Sequence, residues 1–270
     1  MKNKSLTLFS IAVAILCIAA RTITLIYTTQ SGTGFFISRL APLGICLSVV
    51  IFLLTLVAFI FAFTSNQTAR SPFKPSGLSA MACIVLGITI LLYSFGFNSH
   101  TAFIHWQHTL ETLTGIAAGV WFILYGLTAF TNLRLPNVTA ILPCIHFITR
   151  LVVVFGGLST SALVAEHVFS LAYHVCAMVF MLNLGRVMAN EPSKSSQKTF
   201  FPISVLTFIF TCTSVFSRLI MLIISKTQMI HGETPLDITG IALSIFIILI
   251  SADICKNDNI KIKEAVSDEF

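Results

Sequence analysis

Three arginines, at positions 21, 150 and 218, stand inside long apolar runs, and three acids, Glu111, Glu166 and Asp237, stand inside or at the edge of others. An ionised group at the centre of a spanning helix costs roughly 2.5 to 3.5 kcal/mol on insertion scales, so each needs a partner or a wet cavity. A guanidinium is a planar fork that donates two parallel hydrogen bonds to a carboxylate or phosphate. Arg21, Arg150 and Arg218 are therefore candidate contacts for the acidic group of a ligand. Glu166 with His174 are candidates for carrying a proton or meeting a positive moiety, and Asp237 completes the candidate binding set. Glu166, His167, Ser170, Tyr173 and His174 recur at helical spacing, and such a stripe must face protein or water rather than lipid. The competing reading is structural. Arg150 would pair with Glu166 and Arg218 with Asp237 inside their own hairpins, Glu111 would find an arginine across hairpins, and the charges would only hold the bundle in register. The residue types alone leave both readings open.

Other chemistry has less to stand on. His105-x-x-His108-x-x-Glu111 brings three metal-ligand types near one helical face, but no H-E-x-x-H or comparable zinc signature accompanies it. Its neighbours Phe103, Ile104 and Trp106 have the composition of an interfacial loop with an aromatic anchor. His146 and His174 are the pair that would ligate a haem between helices five and six, and His146, His167 and His174 would serve a membrane metal or redox protein. Buried histidines are more often hydrogen-bonded core residues than ligands, and no cofactor is expected. No Ser-His-Asp order, nucleotide loop or pair of catalytic carboxylates can be placed, so no catalytic residue is assigned and the reading leans away from an enzyme. The seven cysteines contain no C-x-x-C pair and read as small buried hydrophobes. Gly115-x-x-x-Gly119, extended by Gly126, makes a smooth face for close helix packing.

The elements that must position these residues follow from composition. Of 270 residues 56% are hydrophobic and only 10% charged, with a mean hydropathy of +0.94. A soluble domain carries about 25% charged residues, which excludes a soluble enzyme, a disordered tail and a nucleic-acid binder. A spanning helix needs roughly 20 apolar residues, and eight such runs occur, near 6–27, 40–64, 78–97, 110–131, 138–158, 162–186, 200–225 and 236–255. With the N-terminus inside, Lys2, Lys4, Arg70, Lys74, Arg134, Arg186, Lys194, Lys198, Lys256, Lys261 and Lys263 fall on the inner side, and only Arg39 and Lys226 outside. That is the bias of the positive-inside rule. The expectation is an all-α integral membrane protein of eight transmembrane helices with both termini inside. It forms one transmembrane domain of four hairpins (6–64, 78–131, 138–186, 200–255), followed by a short cytoplasmic tail, 256–270. Lys2 and Lys4 before apolar Leu6 to Ala20 also have the form of a signal peptide cut near Ala19-Ala20, but the run continues through Ile23 to Tyr27, so a span is preferred. Asn66-Gln67-Thr68 and Asn137-Val138-Thr139 then face inward and are chance matches to the glycosylation pattern. The expected partners are the bilayer, a small anionic, zwitterionic or amphiphilic ligand and a membrane-protein partner, and no nucleic acid.

Each arginine lies in the outgoing helix of a hairpin, and Arg150 and Arg218 are 68 residues apart, while the gap from Arg21 to Arg150 is about twice 65. This spacing predicts a four-fold parallel repeat of two-helix hairpins. Ser10, Cys17, Thr24 and Thr28 share a face with Arg21, and Thr207, Ser214, Met221 and Ser225 hold the same offsets around Arg218. Arg150 has His146 one turn before it and Gly157 two turns after it. The second unit has Leu86 to Ile90 in the arginine slot, leaving Thr89 and Tyr93 as its polar candidates. Arg21-Thr22-Ile23-Thr24-Leu25 followed by Gly32-Thr33-Gly34-Phe35-Phe36 resembles the opening of uncharacterised multi-spanning membrane proteins of anaerobic Gram-positive bacteria. The resemblance covers about the first 40 residues and implies a bacterial plasma-membrane protein, with no activity attached. Gly32 and Gly34 read as a tight outer turn, with Phe35 and Phe36 buried at the interface.

Overall fold

A computed structural model of the chain describes residues 2–30, 36–65, 75–97, 105–131, 133, 135–156, 165–188, 194–224 and 237–267. The side chains at 2–4, 96–97, 105, 107–108, 165–167, 194–196 and 255–267 lie outside that description. Among the described residues the protein is all-helical: α1 Lys2–Ile23, α2 Ala41–Thr64, α3 Gly77–Leu92, α4 His105–Leu127, α5 Leu142–Gly156, α6 Ala165–Met188, α7 Lys194–Ile223 and α8 Ile238–Ser267. Seven of these are long and apolar enough to cross a membrane, and α8 adds a shorter apolar stretch, Ile238–Ile254. The chain is a membrane protein.

The boundaries shift where polar residues hid a helical turn. α7 begins at Lys194, six residues before the apolar run, and carries Pro202 in its third turn. α4 likewise starts at His105, so His105 to Glu111 is helix and not the interfacial loop its aromatic neighbours suggested. α8 runs on as helix to Ser267, through most of the charged tail. α2 opens with Pro42 at its first turn, where the missing N–H costs no helical bond. α5 is entered through a 3-10 turn, Asn137–Ile141.

Helices α3 to α8 form a closed ring, each packed on the next and α8 returning to α3. The first hairpin stands outside it, α1 and α2 both leaning on α7, which is thereby the most surrounded helix of the molecule. The four hairpins are thus not arranged equivalently. Close approach within the ring is made by glycine: a Cβ on Gly87 would lie 2.6 Å from the Gly119 carbonyl oxygen, and one on Gly126 would lie 2.7 Å from that of Ala80. This is the α3–α4 seam that the glycine spacing of α4 predicted, with two backbones in van der Waals contact.

The end of the ring where α7 begins is filled by rings. Phe122 of α4 and Phe180 of α6 pack on Phe246 of α8, and Phe200 of α7 packs on Phe180, at centroid distances of 5.5 to 6.3 Å. Trp121 stacks on Tyr125 at 5.1 Å and donates its indole N–H to Thr139 Oγ1 at 3.1 Å. The Asp253 carboxylate on α8 accepts from the Ser76 backbone N–H at 2.9 Å and from the Ser79 hydroxyl, and so clasps the start of α3. The opposite end, where α1 finishes, is polar.

Two of the helices at that polar end finish in a π-helical turn, Thr24–Thr28 after α1 and Tyr93–Phe97 after α3. Widening the helix frees carbonyls, and the hydroxyls there take them up. Thr28 and Thr29 both donate to the Thr24 carbonyl, at 2.7 and 3.2 Å, and Ser94 donates to that of Ile90 at 2.9 Å. The hydroxyls of α7 are spent the same way: Ser204, Thr207, Thr211, Thr213 and Ser217 each bond a carbonyl one turn back, and Thr207 reaches the Cys176 carbonyl as well.

Candidate functional site

The polar end is organised by Arg150, less than two turns before the end of α5, between α4 and α6. Its Nε–H donates to His174 Nε2 on α6 at 3.0 Å. The other ring nitrogen, His174 Nδ1, lies 2.7 Å from the Ser170 carbonyl oxygen, which can only accept. The pair of contacts therefore assigns the proton to Nδ1 and the lone pair to Nε2. Arg150 Nη1 stands 4.0 Å from Glu111 Oε1 on α4, the outer limit of an ion pair. Its guanidinium carbon lies 4.1 Å over the ring of Tyr93, the first residue of the π-helical turn after α3. Four consecutive members of the ring, α3 with its terminal turn, α4, α5 and α6, thus deliver one polar or aromatic group each to the same point. Arg150 is 2% exposed, Glu111 3% and His174 1%. The arrangement is sealed, and at that depth every contact is strengthened by the low dielectric.

Gly115 explains how the groups fit. A Cβ at that position would run into the Ser94 hydroxyl and would stand 3.3 Å from His146 Cε1. Glycine here makes room for a serine of α3's last turn and a histidine of α5 to meet over α4, one turn from Glu111. His146 is 1% exposed, and its Nδ1 is buried without a hydrogen-bond partner among the described residues. An unpaired buried polar atom costs about 1 to 3 kcal/mol, so an orphan nitrogen at the rim of a charged cluster is a place where a small polar group belongs.

The other candidates are dispersed. Arg21 is buried on α1, with its guanidinium 4.5 Å over Phe169 of α6, and Phe169 is itself stacked on Phe52 of α2. Arg21 and Arg150 meet α6 through Phe169 and His174, five residues apart and on different faces of that helix. Arg218 is buried on α7. Asp237 receives the Gly240 backbone N–H at 2.8 Å and so caps α8, an occupation that the sequence reading did not foresee. The acid within ion-pair reach of Arg150 is the cross-hairpin Glu111; the side chains of Glu166 and His167, expected beside it, lie outside the described residues. So do His105, His108, Gly157, Ser225, the Gly32 to Phe35 turn and Asn66 to Thr68. The second N-x-T match is a packing element, since Thr139 receives Trp121 and donates to the Pro136 carbonyl at 2.7 Å.

Tyr93, noticed in the sequence only as a stand-in for a missing arginine, turns out to be the surface under one. Ser94 was missed, and Gly115 was read only as part of a helix-packing face. The signal was available in outline, a serine at the end of one helix and a glycine in the next, but hairpin register had to be known before the two could be opposed. Ser10, Cys17, Thr24 and Thr28, placed on one face with Arg21, are all buried. The haem reading finds both nitrogens of His174 committed, which leaves no lone pair for iron in this arrangement. No three His, Cys, Asp or Glu side chains among the described residues stand close enough to share a metal ion. No family model, curated protein or solved structure matches the chain.

Proposed function

We propose that this protein binds a small anionic, zwitterionic or amphiphilic molecule at the Arg150 cluster, for transport across the membrane or for sensing. The observation that carries the reading is the orphan Nδ1 of His146, buried beside Gly115 and Ser94 at the edge of a charged cluster fed by four helices. A ligand carboxylate or phosphate takes the place of Glu111 on the Arg150 fork, and His146 takes a second polar atom of the ligand. His174 holds Arg150 in position through Nε2 and, with Glu166, is the group to which a proton or a positive moiety is assigned. Arg21 and Arg218 add positive charge at the same end of the bundle, and Asp237 holds the start of α8 there. The closed geometry corresponds to an occluded state, from which access follows when α4 parts from α5.

In this reading both termini are inside, the polar end faces outward, and the membrane is a bacterial plasma membrane. A parallel repeat of hairpins is supported by two pairs of features. The π-helical turns begin 69 residues apart, at Thr24 and Tyr93, and each sets a hydroxyl, Thr28 or Ser94, against a glycine of the returning helix, Gly44 or Gly115.

The second reading is an accessory subunit whose charges serve only folding. The buried Glu111 contact favours it, because an acid already stands within ion-pair reach of Arg150 without a ligand. The two readings part on a charge swap, Arg150→Glu with Glu111→Arg. Thermal unfolding in detergent against a panel of small carboxylates and phosphates should show ligand stabilisation of the wild type that is lost in the swap, although the swap folds. If no compound of the panel shifts the wild-type melting temperature, and the swap melts like the wild type, the accessory reading replaces the binding one.

A further inference from the structure

A cavity of about 250 Å³ opens at the end of the bundle away from the Arg150 cluster, between the 3-10 turn that enters α5 and the last two turns of α6. Its walls include Asn137, Val138, Ile141, Cys144 and Leu182, and among the described residues Arg186 is the charged one that lines it. Val138, Ile141 and Leu182 are exposed on the outer surface of the bundle, so the cleft opens sideways, where a bilayer would lie. Gly185 keeps α6 close to the turn: a Cβ there would stand 3.0 Å from the Ala140 carbonyl oxygen. Trp121 and Thr139 lock the turn from behind. The space is several times the roughly 30 Å³ share of one water molecule, and its lining is mostly apolar, with Asn137 and Arg186 as its polar side chains, which suits an amphiphile.

We propose that this cleft is a binding site for an anionic phospholipid. One acyl chain lies along Ile141, Cys144 and Leu182, and the headgroup phosphate takes the guanidinium fork of Arg186, an exposed residue in the last turn of α6. Charge complementarity selects the occupant. The sequence segments that open α1 and α7 at this end carry Lys2, Lys4, Lys194 and Lys198, a positive balance that draws anionic lipid. The site shares no residue with the Arg150 cluster and stands or falls separately from it.

Native mass spectrometry of the detergent-solubilised protein, titrated with phosphatidylglycerol or phosphatidylcholine of the same chains, tests the assignment. Both headgroups carry the phosphate, but phosphatidylcholine cancels its charge with a choline cation that the basic end repels, so the wild type should retain phosphatidylglycerol about tenfold over phosphatidylcholine. Arg186→Gln should bring the two lipids close to parity, Arg186→Lys should fall between, and Leu182→Trp should lower retention of both lipids by filling the cleft. Should Arg186→Gln not fold, the lysine variant carries the test alone. Equal retention of the two lipids by the wild type overturns the proposal, as does an unchanged preference in the Arg186 variants. Inorganic phosphate should leave the melting temperature of the wild type unmoved. A shift as large as that from phosphatidylglycerol would mean a simple anion site and would overturn the lipid assignment.

Discussion

The two ends of the helix ring are built by opposite means. At one end four aromatic rings from α4, α6, α7 and α8 fill the middle without a polar atom among them. At the other, four elements converge through an arginine, a glutamate, a histidine and a tyrosine, with Gly115 leaving the space in which Ser94 and His146 meet. Lipid is as apolar as phenylalanine, so an aromatic plug gains its stability from dispersion and shape alone and tolerates only one packing. A charged cluster gains from pairing, and pairs can be exchanged for others. The difference suggests a fixed end and an exchangeable end, and substitutions at each should separate them.

The largest effect is expected at Arg150. Replacing it by Met leaves Glu111 buried without its cation, which should cost about 3 to 5 kcal/mol in unfolding measured in micelles. Adding Glu111→Gln should recover a substantial part of that loss. A negligible loss in the single variant would mean that Glu111 is already neutral or finds another cation, and the contrast between the ends would blur. Phe246→Ala should cost about 3 kcal/mol through the cavity it leaves. That loss should come with no change in ligand affinity at the polar end, so an altered affinity would couple the two ends.

Gly115→Ala is expected to cost about 2 kcal/mol by overpacking against Ser94, and Ser94→Ala in the same chain should restore most of the stability. Failure of that rescue would place the crowding on the His146 side. The smallest effect belongs to the fixed end. Asp253→Ala removes the clasp on the start of α3 and should lower stability by about 1 kcal/mol, with hydrogen exchange quickening at the first turn of α3 before elsewhere.

Part of this was legible in advance because it depends on transfer to lipid, which acts residue by residue. The eight apolar stretches, the tight α3–α4 seam at Gly119 and Gly126, and the burial of the face that carries Ser10, Cys17 and Arg21 all follow from composition and from a period of 3.6. The hydroxyls of α7 show where such reading stops. Thr207 and Thr211 have the spacing of a polar pathway, yet each donates to a carbonyl one turn back in its own helix, and Thr207 reaches the Cys176 carbonyl of α6 as well, which no spacing distinguishes from a wet face.

The amino-acid sequence by itself determined that the chain lives in a membrane, that its helices pair in hairpins, and that a handful of ionisable groups would have to be buried or paired. The tertiary structure decided which partner each one received. Glu111 reaches Arg150 because α4 and α5 are neighbours in the ring; Asp237 serves its own helix; Tyr93 lies beneath a guanidinium because a π-helical turn puts it there. The contacts of Arg150 join residues 24 to 57 positions apart, and they depend on helix order and rotation, quantities that local hydropathy does not contain.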